Sequence, residues 1–168
     1  PRLSTERKRV ADQVNEGESI LVMFSGCAPY PCVIAKNTDA KDIVGIELNP
    51  VGHMYGLENL KLNKIKNVAL INGDVKDAVP KLDRKFDRIV MPLPKSAGDF
   101  LETAFVASKK GTIIHFYAFE EEGKFEEAHK RIQEASKKNN IKYGIIRTVK
   151  CGQHAPRVFR ICVDFEIL

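Results

Sequence analysis

A carboxylate and a turn of small residues lie twenty-one positions apart near the start of the chain. Glu47 closes the apolar run of residues 43–46, and Gly26 lies in the turn of residues 24–29. Such a turn after a first strand lets the backbone approach a ligand closely. A carboxylate about twenty residues later, at the tip of a second strand, can accept hydrogen bonds from ribose hydroxyls. The pair therefore indicates a nucleoside site.

The turn lacks the full glycine set of a dinucleotide site, because Gly26 is the one glycine in residues 24–29. A smaller nucleoside cofactor, S-adenosylmethionine, fits this turn better than NAD. Each ribose hydrogen bond to Glu47 would contribute roughly 1.5–3 kcal/mol, because the acceptor is charged. A strand-end glutamate can also be a surface residue or a helix cap, and that alternative stays open.

Two further segments follow predicted strands. Asp74, after Gly73, is placed to accept a hydrogen bond from an exocyclic amine such as that of adenine, although Gly-Asp is also a common turn. Residues 91–94 (Met-Pro-Leu-Pro) would form a rigid floor where the reactive end of the cofactor meets its substrate. Pro92 and Pro94 could instead simply end a strand.

Strands that alternate with helices must position these residues. The predicted strands are 19–24, 42–47, 67–71, 87–91, 112–119, 142–150 and 157–168, and the predicted helices are 3–16, 31–36, 49–64, 97–108 and 121–139. The long helix has a predicted apolar stripe of Met54, Leu57, Leu60 and Leu62 or Ile65. Alternation predicts an α/β, Rossmann-like fold with a mostly parallel sheet and an antiparallel C-terminal hairpin, joined by residues 151–156. That layout is typical of class I methyltransferases.

The 168 residues suffice for one domain, and we interpret residues 1–168 as a methyltransferase domain. Because the chain begins at Pro1, we expect it to be a fragment of a longer protein. The net charge of +5 permits a nucleic-acid partner. Four cysteines without a CxxC pair make zinc improbable, and three of them in apolar surroundings fit buried, reduced thiols in the cytoplasm. No apolar stretch is long enough for a membrane span.

Three segments carry a resemblance to a known family. Residues 1–7 (PRLSTER), 87–97 (DRIVMPLPKSA) and 155–165 (APRVFRICVDF), together with 23–26, resemble the archaeal and eukaryotic tRNA (guanine-N1) methyltransferases. The resemblance spans essentially the whole chain. It implies S-adenosylmethionine as cofactor, the anticodon stem-loop of tRNA as partner, and the guanosine 3′ of the anticodon as substrate. A monomer is expected. A related enzyme of the wybutosine pathway transfers an aminocarboxypropyl group from the same cofactor.

The resemblance also implies roles for individual residues. Glu6 matches the position that takes the proton from guanine N1, and Arg2 and Arg7 match the arginines beside it. Guanine N1 is a poor nucleophile until that proton leaves, and a guanidinium would stabilise the charge that gathers on O6. The candidate catalytic residues are Glu6, Arg2, Arg7, Pro92 and Pro94. The candidate cofactor-binding residues are Phe24, Ser25, Gly26, Glu47, Leu48, Asp74, Val75 and Met91.

Alternatives remain beside this interpretation. A glutamate in a helix with several arginines is usually one partner of exposed ion pairs, and Glu6 could be such a residue. The chain also departs from the family at Val22, where an acid is usual, at Ala28, where a glycine is usual, and at Pro92, where Asn is common. These departures allow weaker cofactor binding, a divergent subgroup or lost activity, and the retained Glu6, Glu47 and Leu-Pro favour the divergent subgroup. They also favour the rival interpretation as a non-catalytic RNA-binding module, which Glu6 and Glu47 oppose. A small-molecule methyltransferase is a weaker option.

Basic residues are the last set with a candidate role. Arg157 and Arg160 flank an apolar strand and are the better candidates for contacts with tRNA phosphates. The other candidates are Lys61, Lys64, Lys66, Lys95, Arg147 and Lys150. The sequence shows no platform of interleaved aromatic and basic residues for RNA bases.

Overall fold

The computed structural model of the protein describes residues 2–92 and 100–168. The described residues form one seven-stranded sheet in the order β3-β2-β1-β4-β5-β7-β6. The strands are β1 (Ser19–Met23), β2 (Asp42–Glu47), β3 (Val68–Asn72), β4 (Arg88–Met91), β5 (Ile113–Glu121), β6 (Tyr143–Ala155) and β7 (Val158–Ile167). The helices are α1 (Arg2–Ala11), α2 (Pro29–Asn37), α3 (Pro50–Leu62), α4 (Val75–Leu82), α5 (Leu101–Val106) and α6 (Glu126–Lys138).

The first five strands are parallel, and the last two join as an antiparallel hairpin on one edge. The predicted α/β, Rossmann-like class is therefore confirmed. The interior strands are apolar along their length, because helices cover both faces of a parallel sheet. Strand order reverses between β1 and β4, which places the switch point beside the carboxyl end of β1.

The C-terminal hairpin is longer than predicted. β6 continues through residues 151–155, which the sequence assigned to a six-residue loop, and only Pro156 and Arg157 lie between the strands. Arg157 has a φ of 58°, the left-handed conformation that a type II turn requires at the position after its proline. β7 lies inside, between β5 and β6, so residues 158–165 of the resemblance segment belong to an interior strand.

Several helix predictions were wrong in extent, and one helix was missed. α1 ends at Ala11 rather than at residue 16, and α6 begins at Glu126 because β5 runs on to Glu121. Helix α4 was not predicted at all. It has eight residues with Pro80 inside, which makes its apolar repeat too short to recognise. Of the predicted helix 97–108, residues 101–106 form α5, and residues 97–99 lie outside the described residues.

The predicted apolar stripe of α3 was also wrong. Leu60 is buried, but Met54 is 51% exposed and Leu62 is 77% exposed, and Leu57 is exposed as well. The helix instead packs through Gly56 and Leu60. A Cβ on Gly56 would lie 2.9 Å from Leu70 Cδ1. Helix α3 can therefore lie close to β3 because Gly56 has no side chain, and not because a row of large apolar residues packs there.

The four cysteines are free, but they are less buried than expected. Only Cys162 is buried, Cys32 and Cys151 are half-buried, and Cys27 is exposed. None of the helices in the described part of the chain is long and apolar enough to cross a membrane.

Candidate functional site

A cavity of about 600 Å³ opens at the carboxyl ends of the first four strands. This volume lies within the usual range for small-ligand sites, roughly 300–1,000 Å³. Its walls combine apolar and polar side chains, as a nucleoside requires. The lining residues are Phe24, Ile46, Glu47, Leu48, Asn49, Gly73, Asp74, Val75, Pro92 and Phe100.

Glu47 ends β2 at the mouth of this cavity, and the backbone fixes its carboxylate. Gly26 N–H donates to Oε1 over 3.0 Å, and Asn49 N–H donates to Oε2 over 2.7 Å. The first of these bonds joins the turn after β1 directly to the acid after β2. Each oxygen keeps lone-pair capacity for one hydroxyl of a ribose. Glu47 is thus oriented before any ligand arrives, and its bond to Asn49 N–H, beside the start of α3, is also compatible with the helix-cap alternative.

The turn after β1 has a strained but well-defined backbone. Phe24, Gly26 and Ala28 all have positive φ, of 56°, 57° and 67°. The left-handed conformation at Ala28 costs a non-glycine residue about 1 kcal/mol or more. The cost expected for Ala28 is therefore present, but the residue does not line the cavity. Val22 is fully buried in the core, so the apolar residue at this departure serves packing.

Asp74 both borders the cavity and caps helix α4. Its Oδ1 accepts from Lys76 N–H over 2.9 Å, which satisfies one of the free amides at the helix start. Since α4 was not predicted, this capping role was missed. Among the described residues, Oδ2 of Asp74 has no hydrogen-bond donor, so it remains an acceptor for an amine.

Five of the eight predicted cofactor residues line the cavity: Phe24, Glu47, Leu48, Asp74 and Val75. The other three do not line it. Ser25 is buried against β2, where a Cβ on Gly45 would lie 3.0 Å from its Oγ. Gly26 acts through its amide on Glu47, and Met91 is fully buried in the core.

Phe100 is the main residue that the sequence did not single out. Its ring meets the ring of Phe24 edge to face at 4.8 Å, and the two form an aromatic wall of the cavity. The signal in the sequence is an aromatic residue in the segment that follows β4. The helical pattern of residues 97–108 does not by itself indicate that Phe100 lines a cavity.

Glu6 lies away from this cavity, in a buried polar cluster between α1 and the sheet. The i,i+3 ion pair of the alternative interpretation is present, with Arg9, but it is not exposed, because Glu6 is only 4% exposed. Its partner is Arg9, whose Nη2 donates to Oε1 over 2.7 Å and whose Nε donates to Oε2 over 3.0 Å. Tyr117 Oη also donates to Oε1, over 2.6 Å. A second cavity, of about 560 Å³, is bordered by Glu6 and Arg9 on one side and by β6 on the other.

The other predicted catalytic residues are only partly brought together. Arg2 begins helix α1, and Arg7 is half-buried, with no acceptor for its Nε among the described residues. Pro92 lines the first cavity, whereas Pro94 lies outside the described residues. Among the described residues, none lines both cavities. Among the described side chains, the arginine that holds Glu6 is Arg9, three residues further along α1, so an i,i+3 ion pair that the helix pattern allows does form.

The hairpin carries the aromatic and basic surface that the sequence did not reveal. Lys150 Nζ lies 3.5 Å from the ring centre of Phe159, beside the second cavity. On the other face, the Arg160 guanidinium lies 5.1 Å from the ring centre of Phe119, which packs on His154. These pairs form only when β5, β6 and β7 align, so the sequence did not show that aromatic and basic residues are interleaved here.

His115, Cys162 and Asp164 come close enough together to suggest a metal site, but their chemistry argues against one. His115 Nδ1 lies 2.6 Å from Asp164 Oδ1, and its Nε2 lies 2.9 Å from Arg88 Nη1. Both ring nitrogens are therefore occupied. The Cys162 thiol donates to Asp164 Oδ1 over 3.2 Å, so the cysteine also has a partner within the cluster. The cluster is a hydrogen-bond network.

The comparisons with known proteins agree with this geometry. A family model of the TRM5/TYW2 methyltransferase domain matches residues 1–145. The tRNA (guanine(37)-N(1))-methyltransferase Trm5b of Pyrococcus abyssi is 38% identical over 99% of this chain and 49% of that protein. The tRNA 4-demethylwyosine(37)-methyltransferase Taw21 of Saccharolobus solfataricus is 35% identical over 98% of this chain and 60% of that protein. The tRNA(Phe) aminocarboxypropyltransferase of Methanocaldococcus jannaschii is 32% identical over 95% of this chain and 64% of that protein.

Solved structures give the same result. Trm5b of P. abyssi superposes with a TM-score of 0.90 over 99% of this chain and 49% of that one. M. jannaschii TYW2 in complex with AdoMet, 31% identical, superposes with a TM-score of 0.87 over 99% of this chain and 77% of that one. The complex of aTrm5 with tRNALeu, 28% identical, gives 0.85 over 100% of this chain and 46% of that one.

The chain spans about half the length of the P. abyssi relative. S-adenosylmethionine, expected from the resemblance, is confirmed as the cofactor of this family, and it is bound in the M. jannaschii TYW2 structure. Relatives that transfer a methyl group and relatives that transfer an aminocarboxypropyl group match at similar identity. These relatives share one kind of activity: each is an S-adenosylmethionine-dependent transferase that modifies tRNA. The chain belongs to the TRM5/TYW2 methyltransferase family.

Proposed function

We propose that the chain transfers a methyl group from S-adenosylmethionine to N1 of the guanosine 3′ of the anticodon in tRNA. The observation that carries this proposal is the Glu47 carboxylate, which two backbone amides orient at a nucleoside-sized cavity. The 38% identity to the guanine-N1 enzyme of P. abyssi supports the choice of reaction.

The residues of the first cavity would hold the cofactor. Glu47 would accept from the ribose hydroxyls, and Asp74 Oδ2 from the adenine amine. The aromatic wall of Phe24 and Phe100 would pack on the apolar parts of the nucleoside. S-adenosylmethionine supplies an electrophilic methyl group on a sulfonium. The chain contributes orientation, which accounts for much of the rate in a transfer that needs an in-line approach.

Glu6 is the proposed proton acceptor. The N1–H of guanine must lose its proton before N1 is a good nucleophile, and a carboxylate at the edge of a cavity can receive it. The Arg9 guanidinium, which holds Glu6, also borders this cavity and could stabilise negative charge on O6. The pairs Lys150–Phe159 and Arg160–Phe119 offer cations and rings to the phosphates and bases of the anticodon loop.

Aminocarboxypropyl transfer is the second candidate. The 32% identity to the M. jannaschii aminocarboxypropyltransferase supports this reaction nearly as strongly as the 38% identity to the P. abyssi enzyme supports methyl transfer. The two reactions use the same cofactor and differ in which bond to sulfur breaks. The mass of the modified nucleoside distinguishes them, because a methyl group and an aminocarboxypropyl group add different masses.

Calorimetric titration of S-adenosylmethionine tests the cofactor site. We expect the wild-type chain to bind and Glu47→Ala to bind at least about tenfold more weakly, since hydrogen bonds to a charged acceptor are lost. Asp77→Ala is a matched control, because Asp77 is an exposed acid in helix α4 that does not line this cavity. Failure of the wild-type chain to bind would contradict the proposal.

Turnover with tRNA tests Glu6. We expect Glu6→Gln to keep the cofactor affinity but to slow methyl transfer by roughly 10²–10⁴-fold, the usual contribution of a general base. The measurement is single-turnover transfer of labelled methyl to a tRNA with guanosine after the anticodon. Unchanged turnover would contradict the role of Glu6 as a base and would leave it a purely structural ion pair.

A further inference from the structure

The two oxygens of the Glu6 carboxylate are in unequal surroundings. Oε1 accepts two unshared hydrogen bonds, from Tyr117 Oη at 2.6 Å and from Arg9 Nη2 at 2.7 Å. The single Nε–H of Arg9 is shared between the two oxygens, at 3.1 Å from Oε1 and 3.0 Å from Oε2. The Cys151 thiol, a weak donor, also lies within hydrogen-bonding reach of the carboxylate. Among the described residues, both strong unshared donors are therefore on Oε1. A proton arriving from a substrate would therefore meet less competition at Oε2.

A pair of tyrosines fixes the direction of the hydrogen bonds on one side of Glu6. Tyr30 Oη donates to Tyr117 Oη over 2.8 Å. Burial raises the pKa of both phenols above their usual range, so both remain protonated. Since a carboxylate can only accept, the Tyr117 hydroxyl must donate to Glu6. Its single proton is thereby committed to Oε1.

A buried acid fixes the other side. Arg9 Nη1 donates to Asp164 Oδ2 over 2.6 Å, so one guanidinium links two carboxylates from α1 and β7. Asp164 is also held by His115. Because Arg88 can only donate to His115 Nε2, the proton of the neutral ring is assigned to Nδ1, which donates to Asp164. Burial would raise the pKa of Asp164, but these hydrogen bonds hold it well below its usual range.

We propose that Tyr117 is a positioning residue that saturates Oε1 of Glu6 and leaves Oε2 as the oxygen that takes the substrate proton. In that step the N1–H bond breaks, an Oε2–H bond forms, and the electron pair of the N–H bond stays on N1. Tyr117 touches only Glu6 and Tyr30 in this chain of hydrogen bonds and does not itself transfer a proton. This inference rests on the proposed function, in which Glu6 is the base.

The groups around Glu6 that carry charge or can titrate come from every element packed on it. They are Arg9 of α1, Tyr30 of α2, Tyr117 of β5, Cys151 of β6, and Cys162 and Asp164 of β7. Burial raises the pKa of Cys151 to about 12, so it stays a thiol, as Cys162 does. His115, behind Asp164, has its pKa lowered by burial and stays neutral. None of these groups changes charge between about pH 6.5 and pH 9.

The matched variants are Tyr117→Phe and Tyr30→Phe. Each removes one buried hydroxyl from the same pair, but only Tyr117→Phe removes a donor from Glu6. We expect Tyr117→Phe to lower the single-turnover rate by about tenfold, since a hydrogen bond to a charged group is lost. Tyr30→Phe should change the rate by less than about threefold, because it leaves the hydrogen bond from Tyr117 to Glu6 in place. The affinity for S-adenosylmethionine should be equal in both variants, because neither tyrosine lines the first cavity.

The pH profile separates positioning from a general loss of stability. A hydrogen bond to the charged form of a carboxylate favours that form, so its removal makes protonation easier. The acid limb of the rate profile should move to higher pH in Tyr117→Phe and stay in place in Tyr30→Phe. Equal rates and equal acid limbs in the two variants would overturn the inference, even if Glu6→Gln is inactive. An absence of transfer by the wild type, or full activity of Glu6→Gln, would overturn the proposed function and this inference with it.

Discussion

The cavity at Glu47 and the cluster at Glu6 are built in opposite ways. At Glu47 the carboxylate is half-exposed and held by backbone amides from its own loop and from the neighbouring turn. At Glu6 the carboxylate is buried and held by side chains from α1 and β5, with Asp164 of β7 behind them. A site made from backbone depends on the turns being in place. A site made from buried side chains depends on every charged partner being present.

The two regions should therefore respond differently to side-chain deletion and to crowding of the backbone. Loss of one partner in the buried cluster leaves an uncompensated charge, which costs several kcal/mol. In the first cavity, by contrast, a methyl group pressed against the turn after β1 should do more harm than the loss of a peripheral side chain.

The largest effect is expected for Asp164→Ala. The substitution leaves Arg9 and His115 without their shared acceptor in a fully buried position, so we expect a loss of about 3–5 kcal/mol in the free energy of unfolding. Urea denaturation at neutral pH measures it. A loss below about 1 kcal/mol would show that the cluster is not held as a unit.

The contribution of Asp164 to the free energy of unfolding should also depend on pH. The pKa of Asp164 in the folded state is depressed, so its contribution is fully present above the unfolded value of about 3.9 and disappears as the pH falls through the folded value. The difference between wild type and Asp164→Ala should therefore be constant from about pH 5 to pH 7 and shrink below about pH 3.9. A difference that grows on acidification would contradict this sign.

An intermediate effect is expected for Gly45→Ala, which tests the backbone-built region. The new Cβ would lie 2.7 Å from Leu70 Cδ2 and 3.0 Å from Ser25 Oγ. Leu70 can move its flexible end, but Ser25 belongs to the turn that meets Glu47, so we expect about 1–3 kcal/mol of destabilisation together with weaker cofactor binding. Gly73→Ala, whose Cβ would meet nothing within 4 Å, is the control for stability. Equal stability of the two variants would contradict the crowding argument.

The smallest effect is expected for Ala28→Gly. Glycine removes the cost of the positive φ but adds flexibility to the unfolded chain, so the net change should be a stabilisation within about 1 kcal/mol. Cofactor affinity should change by less than about twofold, because Ala28 does not line the cavity. A tenfold gain in affinity would instead place the Ala28 methyl in the path of the cofactor. Calorimetry and urea denaturation measure the two quantities.

The order of strands and helices was predictable because apolar runs and turn residues mark a parallel α/β sheet locally. Glu47 and the Asn49–Pro50 start of α3 were predictable for the same reason. Helix α4 was not, because eight residues with an internal proline carry too little periodicity. The packing of α3 was not either, since the buried side of the helix is set by Gly56 rather than by its larger apolar residues.

The sequence by itself determined the α/β class and, through its resemblance, the family, together with the position of Glu47 at the end of the second strand. These depend on neighbours in the chain and on short motifs. Only the tertiary structure decided that the local Glu6–Arg9 pair is buried, that Tyr117 donates to it, and that Asp164 lies behind it. The Arg9–Asp164 pair joins residues 155 positions apart, and the Tyr117–Glu6 bond spans 111 positions. No local pattern specifies which charges meet in the core, because that depends on how α1 lies across β5 and β7.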